Sequence, residues 1–419
     1  MRSLETLLTV ALLGGCANSP IDFNSDAGSA IATGGAGGSF AGSGGIFAAT
    51  GGTNAGTTTG GAAQGGSATG GTTIGTAAGG ATTGGQPAGG GSPIIGPCDI
   101  YAAVSPATPC VAAFSTTRLL RGAHSGSLYQ VRKGGSASGT GGTLQDIGVV
   151  AGTGFADGNA QDTFCGTGAT ACTISLLYDQ SGRGNNLKVA PAGCYTGTAS
   201  QADFESGAAK KSTTVSGHKV YALYMIPQDG YRNNTPSGMP TGSAAQGIYE
   251  VADGTRTGTA AGTACCWDFG NASINNCNQG TMNALFFGTG YWGKGAGNGP
   301  WFLADLEGGV WAGGTGASNV VNANLPSSNV AFAFGILKTT SSNYAIRVGN
   351  AVSGTLTTGN NSGLPKTLSS PGGIILGIGG DNSNSSQGTF FEGAITAGQP
   401  SDATDALVLA NVQAAKYGQ

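Results

Sequence analysis

Charge is scarce in this sequence. Only 9% of its 419 residues are Asp, Glu, Lys or Arg, against a usual share of about 25%. The formal net charge is −3, from 17 basic and 20 acidic groups. No basic excess is available to neutralise phosphates, so binding to nucleic acid through the backbone is excluded. Histidine is scarcer still: His124 and His218 are the only two, too few for a histidine-rich metal centre. No apolar run reaches the roughly 18 residues that a membrane-spanning helix needs. A G-x-x-x-x-G-K-[ST] phosphate loop and a G-x-S-x-G nucleophile elbow are both missing. What abounds instead is glycine, 81 residues. The glycines come in irregular pairs and not at every third position, which excludes a collagen helix.

Residues 1–16 read as an address. Arg2 gives a positive start, Leu7 to Leu13 a short apolar core, and Leu13-Gly14-Gly15-Cys16 follows. The run is too short to span a bilayer and suits a signal segment. It resembles a bacterial lipoprotein signal, in which Cys16 carries the lipid; the alternative is an ordinary secretory signal with Cys16 incidental. Residues 17–95 read as a disordered Gly/Ala/Thr/Ser-rich linker. From Ala27 to Cys98 there is no charged residue, and Phe40 and Phe47 are the only aromatics. Such a stretch buries too little apolar surface to offset the entropy of ordering it. As a flexible coil, 70 residues of it would reach on the order of 45 Å, a suitable tether.

From residue 96 to 419 the composition is that of a folded domain. Short runs rich in β-branched and aromatic residues, at 127–131, 173–178, 220–225, 283–287, 301–307, 330–336, 344–348, 374–378 and 389–395, predict strands separated by Gly, Asn, Ser and Pro turns. The fold class expected is all-β: a two-sheet, jelly-roll-like β-sandwich. One helix is predicted, over 403–416, capped by Ser401 or Asp402. Leu407, Ala410 and Ala414 share one of its faces, with Val408, Val412 and Ala415 beside them.

Nine cysteines are present. With Cys16 set aside as the lipid site, an even number in an exported chain points to disulfides. Cys98–Cys110 and Cys165–Cys172 would close short local loops, which leaves Cys194–Cys277 by elimination. The absence of a C-x-x-C pair argues against zinc. Adjacent Cys265 and Cys266 could form a compact, strained ring against a ligand, but the residues by themselves favour each pairing elsewhere.

Two carboxylate settings could do chemistry. In the 301–307 run, Trp301, Leu303, Asp305 and Glu307 alternate to one face and Phe302, Ala304 and Leu306 to the other. Acids beside an aromatic suit the wall of a sugar cleft; an edge strand with a solvated face reads equally well. Asp381 follows an apolar strand and Gly379-Gly380, either on a loop that lets backbone approach a ligand or as a plain turn residue.

Seven blocks of sequence carry a resemblance: 96–101 (GPCDIY), 178–185 (YDQSGRGN), 230–234 (GYRNN), 265–271 (CCWDFGN), 299–307 (GPWFLADLE), 377–384 (GIGGDNSN) and 400–404 (PSDAT). In this order they resemble glycoside hydrolase family 54, the α-L-arabinofuranosidase B family. The resemblance implies a β-sandwich catalytic domain and a retaining, exo-acting hydrolase that removes terminal arabinofuranosyl groups from arabinoxylan or arabinan. It implies Glu307 as nucleophile, Asp381 as general acid/base and a Cys265–Cys266 disulfide lying against the sugar. It further implies sugar contacts from Trp292, Asp305 and Gly380, with no metal and no cofactor. The family has Asn directly after the nucleophile, where this chain has Gly308. Fungal members carry an arabinose-binding β-trefoil after the catalytic domain, whereas this sequence stops at Gln419. Cys194 and Cys277 are additions to the pattern. The expected partner is an arabinose-containing plant polysaccharide. The expected state is an exported monomer, a cell-surface or outer-membrane lipoprotein or else secreted, touching membrane only through Cys16. The rival readings are a lectin-like sandwich that binds arabinan or arabinoxylan without cleaving it, and a structural surface protein.

Overall fold

Strand-forming residues fall into two large antiparallel sheets in the structure, a computed structural model that describes residues 94–166, 172–193, 200–258, 265–275, 277, 281–289 and 293–419. The leader with Cys16, almost all of the linker, Cys194 and Trp292 lie outside the described residues. In the first sheet the strands Cys110–Ser115, Gly388–Ala397, Gln246–Ala252, Ala333–Thr339, Asn343–Asn350 and Thr357–Gly363 lie in that order, and Leu223–Met225 also pairs with Gly388–Ala397. In the second, the order is Gly309–Trp311, Trp301–Leu306, Asn283–Gly288, Asp268–Ala272, Gly373–Leu376, Tyr231–Asn233, Leu187–Val189, Cys172–Leu177, Tyr129–Lys133 and Thr143–Ile147. The expected all-β sandwich with a C-terminal helix is what forms.

The sheets meet through aromatics that sit on small residues. The Phe269 ring of the second sheet packs 5.5 Å from Phe390 and 6.3 Å from Phe114, both of the first. A Cβ on Gly335 would overlap the Phe302 ring, and one on Gly393 would lie 2.7 Å from Phe269. Glycine at these two strand positions is what lets the sheets close. Each buried Phe then contributes about 1.5–3 kcal/mol of apolar transfer.

The helix Asp402–Ala414 is capped by Ser401, whose side chain accepts from Thr404 N. It buries Val408, Leu409 and Val412, while Leu407 is exposed. The buried face is therefore the Val408/Val412/Ala415 side. Asp405, fully buried on the helix, receives Arg347 and Lys338 from the first sheet, each at 2.8 Å. Arg118 and Tyr417 converge on the buried carboxylate of Glu392.

Several elements differ from the sequence expectation. The 220–225 run breaks at Ala222 into His218–Tyr221, paired with Ser212–Val215, and Leu223–Met225 in the first sheet. The strand expected at 330–336 runs from Ala333 to Thr339. Two short helices are additional. Pro97–Ala103 has Pro at its first position, and Gly158–Cys165 has Asp157 accepting from Ala160 N.

Candidate active site

Strand pairing carries the acids to one face of the second sheet. Asp305 stands opposite Ala284 on one side and Val310 on the other, and Ala284 stands opposite Gly270. Gly270 faces Ile375, and Ile375 faces Arg232. Residues opposite one another share a face, so Asp305 and Arg232 bound a row whose centre is kept low by Ala284 and Gly270. Asp268 lies on the same face, one step along, in register with Phe286 and Leu303. The strand bearing Asp305 is paired on both sides and Asp305 is only 6% exposed, which overturns the solvated-edge alternative. Trp301 is a correction too. It is buried, with Nε1 donating to Ala296 O at 2.8 Å, so it is not a sugar platform.

Glu307 follows the end of that strand and is half-buried. Its Oε1 accepts the backbone N–H of Ser369 at 2.7 Å. Burial pushes its carboxyl up, opposed by the Ser369 hydrogen bonds and the Lys366 ammonium. Gly308, at φ +81°, makes the turn, and a Cβ there would lie 3.3 Å from Lys366 Nζ.

Asp381 sits on the loop after Gly373–Leu376, where Gly377 (φ +77°) ends the strand. The loop closes on itself through Gly379 N to Ser383 O at 2.9 Å and Asn382 N to Gly379 O at 3.0 Å. Ser383 N donates to Asp381 Oδ1 at 2.9 Å. Ser383 Oγ lies 3.6 Å from Cys265 Sγ and 3.9 Å from Cys266 Sγ. The two cysteines form a disulfide across a cis peptide bond. Ser383 thus ties the sulfur pair to the loop that carries Asp381.

Beneath lies a ladder of buried acids. The carboxyl oxygens of Asp268 and Asp305 and the Cys266 sulfur lie within 4.8 Å of one another. Asp268 is fully buried and shares a hydrogen bond with the Asp305 carboxyl. Two such carboxyls cannot both ionise, so the pair holds a proton. Asp305 is pushed up to about 7, by burial first and then by the charges of Asp381 and Glu307. Asp268 is pushed well above the carboxylate range by burial and by Asp305, Asp381 and Glu250. Glu250, accepting Trp267 Nε1 at 2.9 Å, is pushed up to about 8 by burial. The trio of Cys266, Asp268 and Asp305 has metal-like spacing, but a disulfide sulfur offers no thiolate, so the trio reads as a pocket floor.

Glu307, Asp305, Asp381, Gly380, Cys265 and Cys266 are therefore brought together. The disulfides Cys98–Cys110 and Cys165–Cys172 form as expected. Cys277 is disulfide-bonded, and Cys194 lies outside the described residues. Sequence reasoning missed Asp268, Arg232, Ser369 and Ser383 as members of the site. Asp268, Arg232 and Ser383 sit inside recognised blocks without an assigned role, and Ser369, which acts on Glu307 through its backbone N–H and its side chain, lies outside every block.

The family model described as "Alpha-L-arabinofuranosidase B, catalytic" matches residues 97–418. The chain is 46% identical over 331 residues to alpha-L-arabinofuranosidase B of Aspergillus oryzae, covering 77% of this chain and 62% of the relative. It is 45% identical to the arabinofuranosidase/B-xylosidase of Trichoderma koningii, over 77% of this chain and 63% of that one. It thus spans less than two thirds of the length of these curated relatives. Among solved structures it resembles an α-L-arabinofuranosidase of glycoside hydrolase family 54 soaked with a cyclic sulfate inhibitor. It also resembles an arabinofuranosidase complexed with arabinofuranosyl-alpha-1,2-xylobiose. For each the TM-score is 0.70 and the identity 42%, covering 77% of this chain and 66% of the other.

Proposed function

The chain belongs to the α-L-arabinofuranosidase B catalytic family, and on that premise we propose that it is a retaining exo-α-L-arabinofuranosidase with Glu307 as nucleophile and Asp381 as acid/base. The observation that carries this reading is the position of Asp305. Its carboxyl lies within 4.8 Å of the Cys266 sulfur, which Ser383 ties to the Asp381 loop, and Glu307 follows it by two residues, so acids 74 positions apart in the chain (381 − 307) flank one buried carboxyl. A retaining glycosidase needs two carboxyls flanking one anomeric carbon. Ionised Glu307, oriented by Ser369, attacks that carbon while Asp381 protonates the leaving oxygen. Esterification removes the Glu307 charge, and Asp381 then takes a proton from water as the glycosyl-enzyme is hydrolysed.

Asp305, Gly380 and the Cys265–Cys266 pair would contact the furanose, with Trp292 completing the site. The substrate class is arabinose-bearing plant polysaccharide, arabinoxylan or arabinan; one solved relative is a complex with an arabinofuranosyl-xylobiose. Disulfides support an exported chain. We assign residues 1–16 to a signal, 17–95 to a tether and 96–419 to a monomeric catalytic domain, with Cys16 as lipid site. A mass measurement on the membrane fraction tests that anchor, and an unmodified Cys16 would remove it.

Glu307→Gln and Asp381→Asn should each lose nearly all turnover on arabinofuranosides with poor leaving groups. Product NMR in the wild type should show retention at the anomeric carbon. Near-normal turnover in either variant would overturn its assignment. Failure of the wild type to release phenol from an aryl α-L-arabinofuranoside would leave the lectin reading instead.

A further inference from the structure

Arg232 is a buried cation that the mechanism above does not use. It lies in the strand Tyr231–Asn233, 3% exposed, at the far end of the row that begins with Asp305. Taking a guanidinium out of water is expensive unless its donors and charge are matched. Its Nε donates to Asn234 Oδ1 at 2.6 Å, and Nη2 to Gly380 O at 3.0 Å and to Ser273 O. Nη1 has no hydrogen-bond partner, and no carboxylate forms an ion pair with the group among the described residues. Burial lowers it to about 10, and the negative groups that hold it up are Asp381 first and Asp203 second. It therefore stays charged at neutral pH.

The loop above is held at alternate residues. Arg232 takes the Gly380 carbonyl. Asp203, fully buried, accepts from Asn382 Nδ2 at 3.3 Å and Asn384 Nδ2 at 2.5 Å. Asn382 adopts φ +70°, which Asn tolerates. Between these anchors Asp381 and Ser383 are left to face the site, Ser383 against the sulfur pair. The other charged groups facing it are Asp305 and Asp268, with Glu250 behind Asp268 and Glu307 beyond Asp305. All of them are acids. Behind the loop Asp203 is itself pushed up to about 7 by burial, and Asp229 adds a further negative charge there.

We infer that Arg232 is a positioning residue for Asp381: it clamps the loop through the Gly380 carbonyl, next to Asp381 in the chain, and holds a buried positive charge behind that loop. This rests on the acid/base reading of Asp381. Without the cation, an ionised Asp381 faces only negative charge, and the high-pH limb of kcat/KM should move upward.

The test compares pH profiles of the full chain on an aryl α-L-arabinofuranoside. Arg232→Met should move the high-pH limb up by about 0.5 to 1 on the pH scale. It should also lower kcat below pH 6 with a good leaving group, where hydrolysis of the glycosyl-enzyme limits. Arg232→Lys should return most of the limb. If Arg232→Met does not fold, Arg232→Gln removes the charge while keeping a donor, and its limb decides. A limb that stays in place in these charge-removing variants, with activity lost equally at every pH, would reduce Arg232 to a structural group and overturn the inference. Wild-type turnover in Asp381→Asn would overturn the acid/base reading, and this inference with it.

Discussion

The backbone N–H of Ser369 donates to Glu307 Oε1 at 2.7 Å across 62 residues of chain. A donor to the ionised form stabilises it, so this contact works against the burial that raises the Glu307 carboxyl. On the proposed reading Glu307 is the nucleophile and must be ionised, and the low-pH limb of kcat/KM reports that ionisation. Ser369→Pro deletes the donor and should shift the limb to higher pH, with kcat/KM at the optimum down about 10-fold or more. Ser369→Ala keeps the N–H and should fall between the two. A pH titration of both variants checks this; identical limbs would show that the contact does not tune Glu307.

The buried acids make stability depend on pH in an unusual direction. Folding raises Asp305 to about 7, Asp203 to about 7, Asp229 to about 6 and Glu250 to about 8, in each case chiefly by burial. Unfolded, they titrate near 3.8–4.5. Between those ranges the folded state binds more protons, so this contribution is full below about pH 4 and is lost as pH rises toward 8. Every tenfold change in the acidity of one of these groups is worth at most about 1.4 kcal/mol. The melting temperature should fall by several degrees from pH 5 to pH 8, roughly 2–4 °C per kcal/mol. Glu250→Gln keeps an acceptor for Trp267 Nε1 and should flatten the fall. A melting temperature that rises over this interval would contradict the account.

Most of the sandwich was legible because its strands are apolar and bounded by turn residues, as in 283–287 and 389–395. The strands that escaped are informative. Thr357–Gly363 has the sequence TTGNNSG, turn chemistry by composition, and it is a strand because Asn343–Asn350 offers it a ladder. Gln246–Ala252 is buried throughout, Glu250 included, so the two-residue alternation that marks a half-exposed strand is not there. In the site, the motif-bearing acids and the sulfur pair could be found from sequence blocks. Asp268 and Arg232 could not, because their roles arise from cross-strand register between segments far apart in the chain.

The disulfides should separate stability from function. A cross-link stabilises mainly by restricting the unfolded chain, more for longer loops. Cys98 and Cys110 are 12 residues apart, whereas Cys265 and Cys266 are neighbours. Cys98→Ala with Cys110→Ala should cost about 3 kcal/mol of unfolding free energy with little effect on KM. Cys265→Ser with Cys266→Ser should cost far less stability. It removes the sulfur contacts of Ser383 beside Asp381, so kcat/KM should drop by about 10-fold or more. Denaturant melts and steady-state kinetics on both double variants decide it, and the reverse pattern would refute the sulfur pair's place in the site.

Gly308 offers the most specific test of how the site was adapted. Its φ of +81° strains most side chains, yet Asn visits this region with little penalty. The new Cβ would come 3.3 Å from Lys366 Nζ, the far end of a flexible and exposed side chain, which can yield. The family pattern places Asn directly after the nucleophile, where its amide can donate to the sugar. Gly308→Asn should therefore fold, leave the melting temperature within about 2 °C, and lower KM for aryl arabinofuranosides several-fold. Gly308→Val has no such tolerance and should destabilise the turn by about 1–3 kcal/mol. An unchanged KM in a correctly folded Gly308→Asn would mean that Lys366 or backbone already supplies the donor. Lys366→Met in both backgrounds then identifies which, because KM should rise only where Lys366 carries that hydrogen bond.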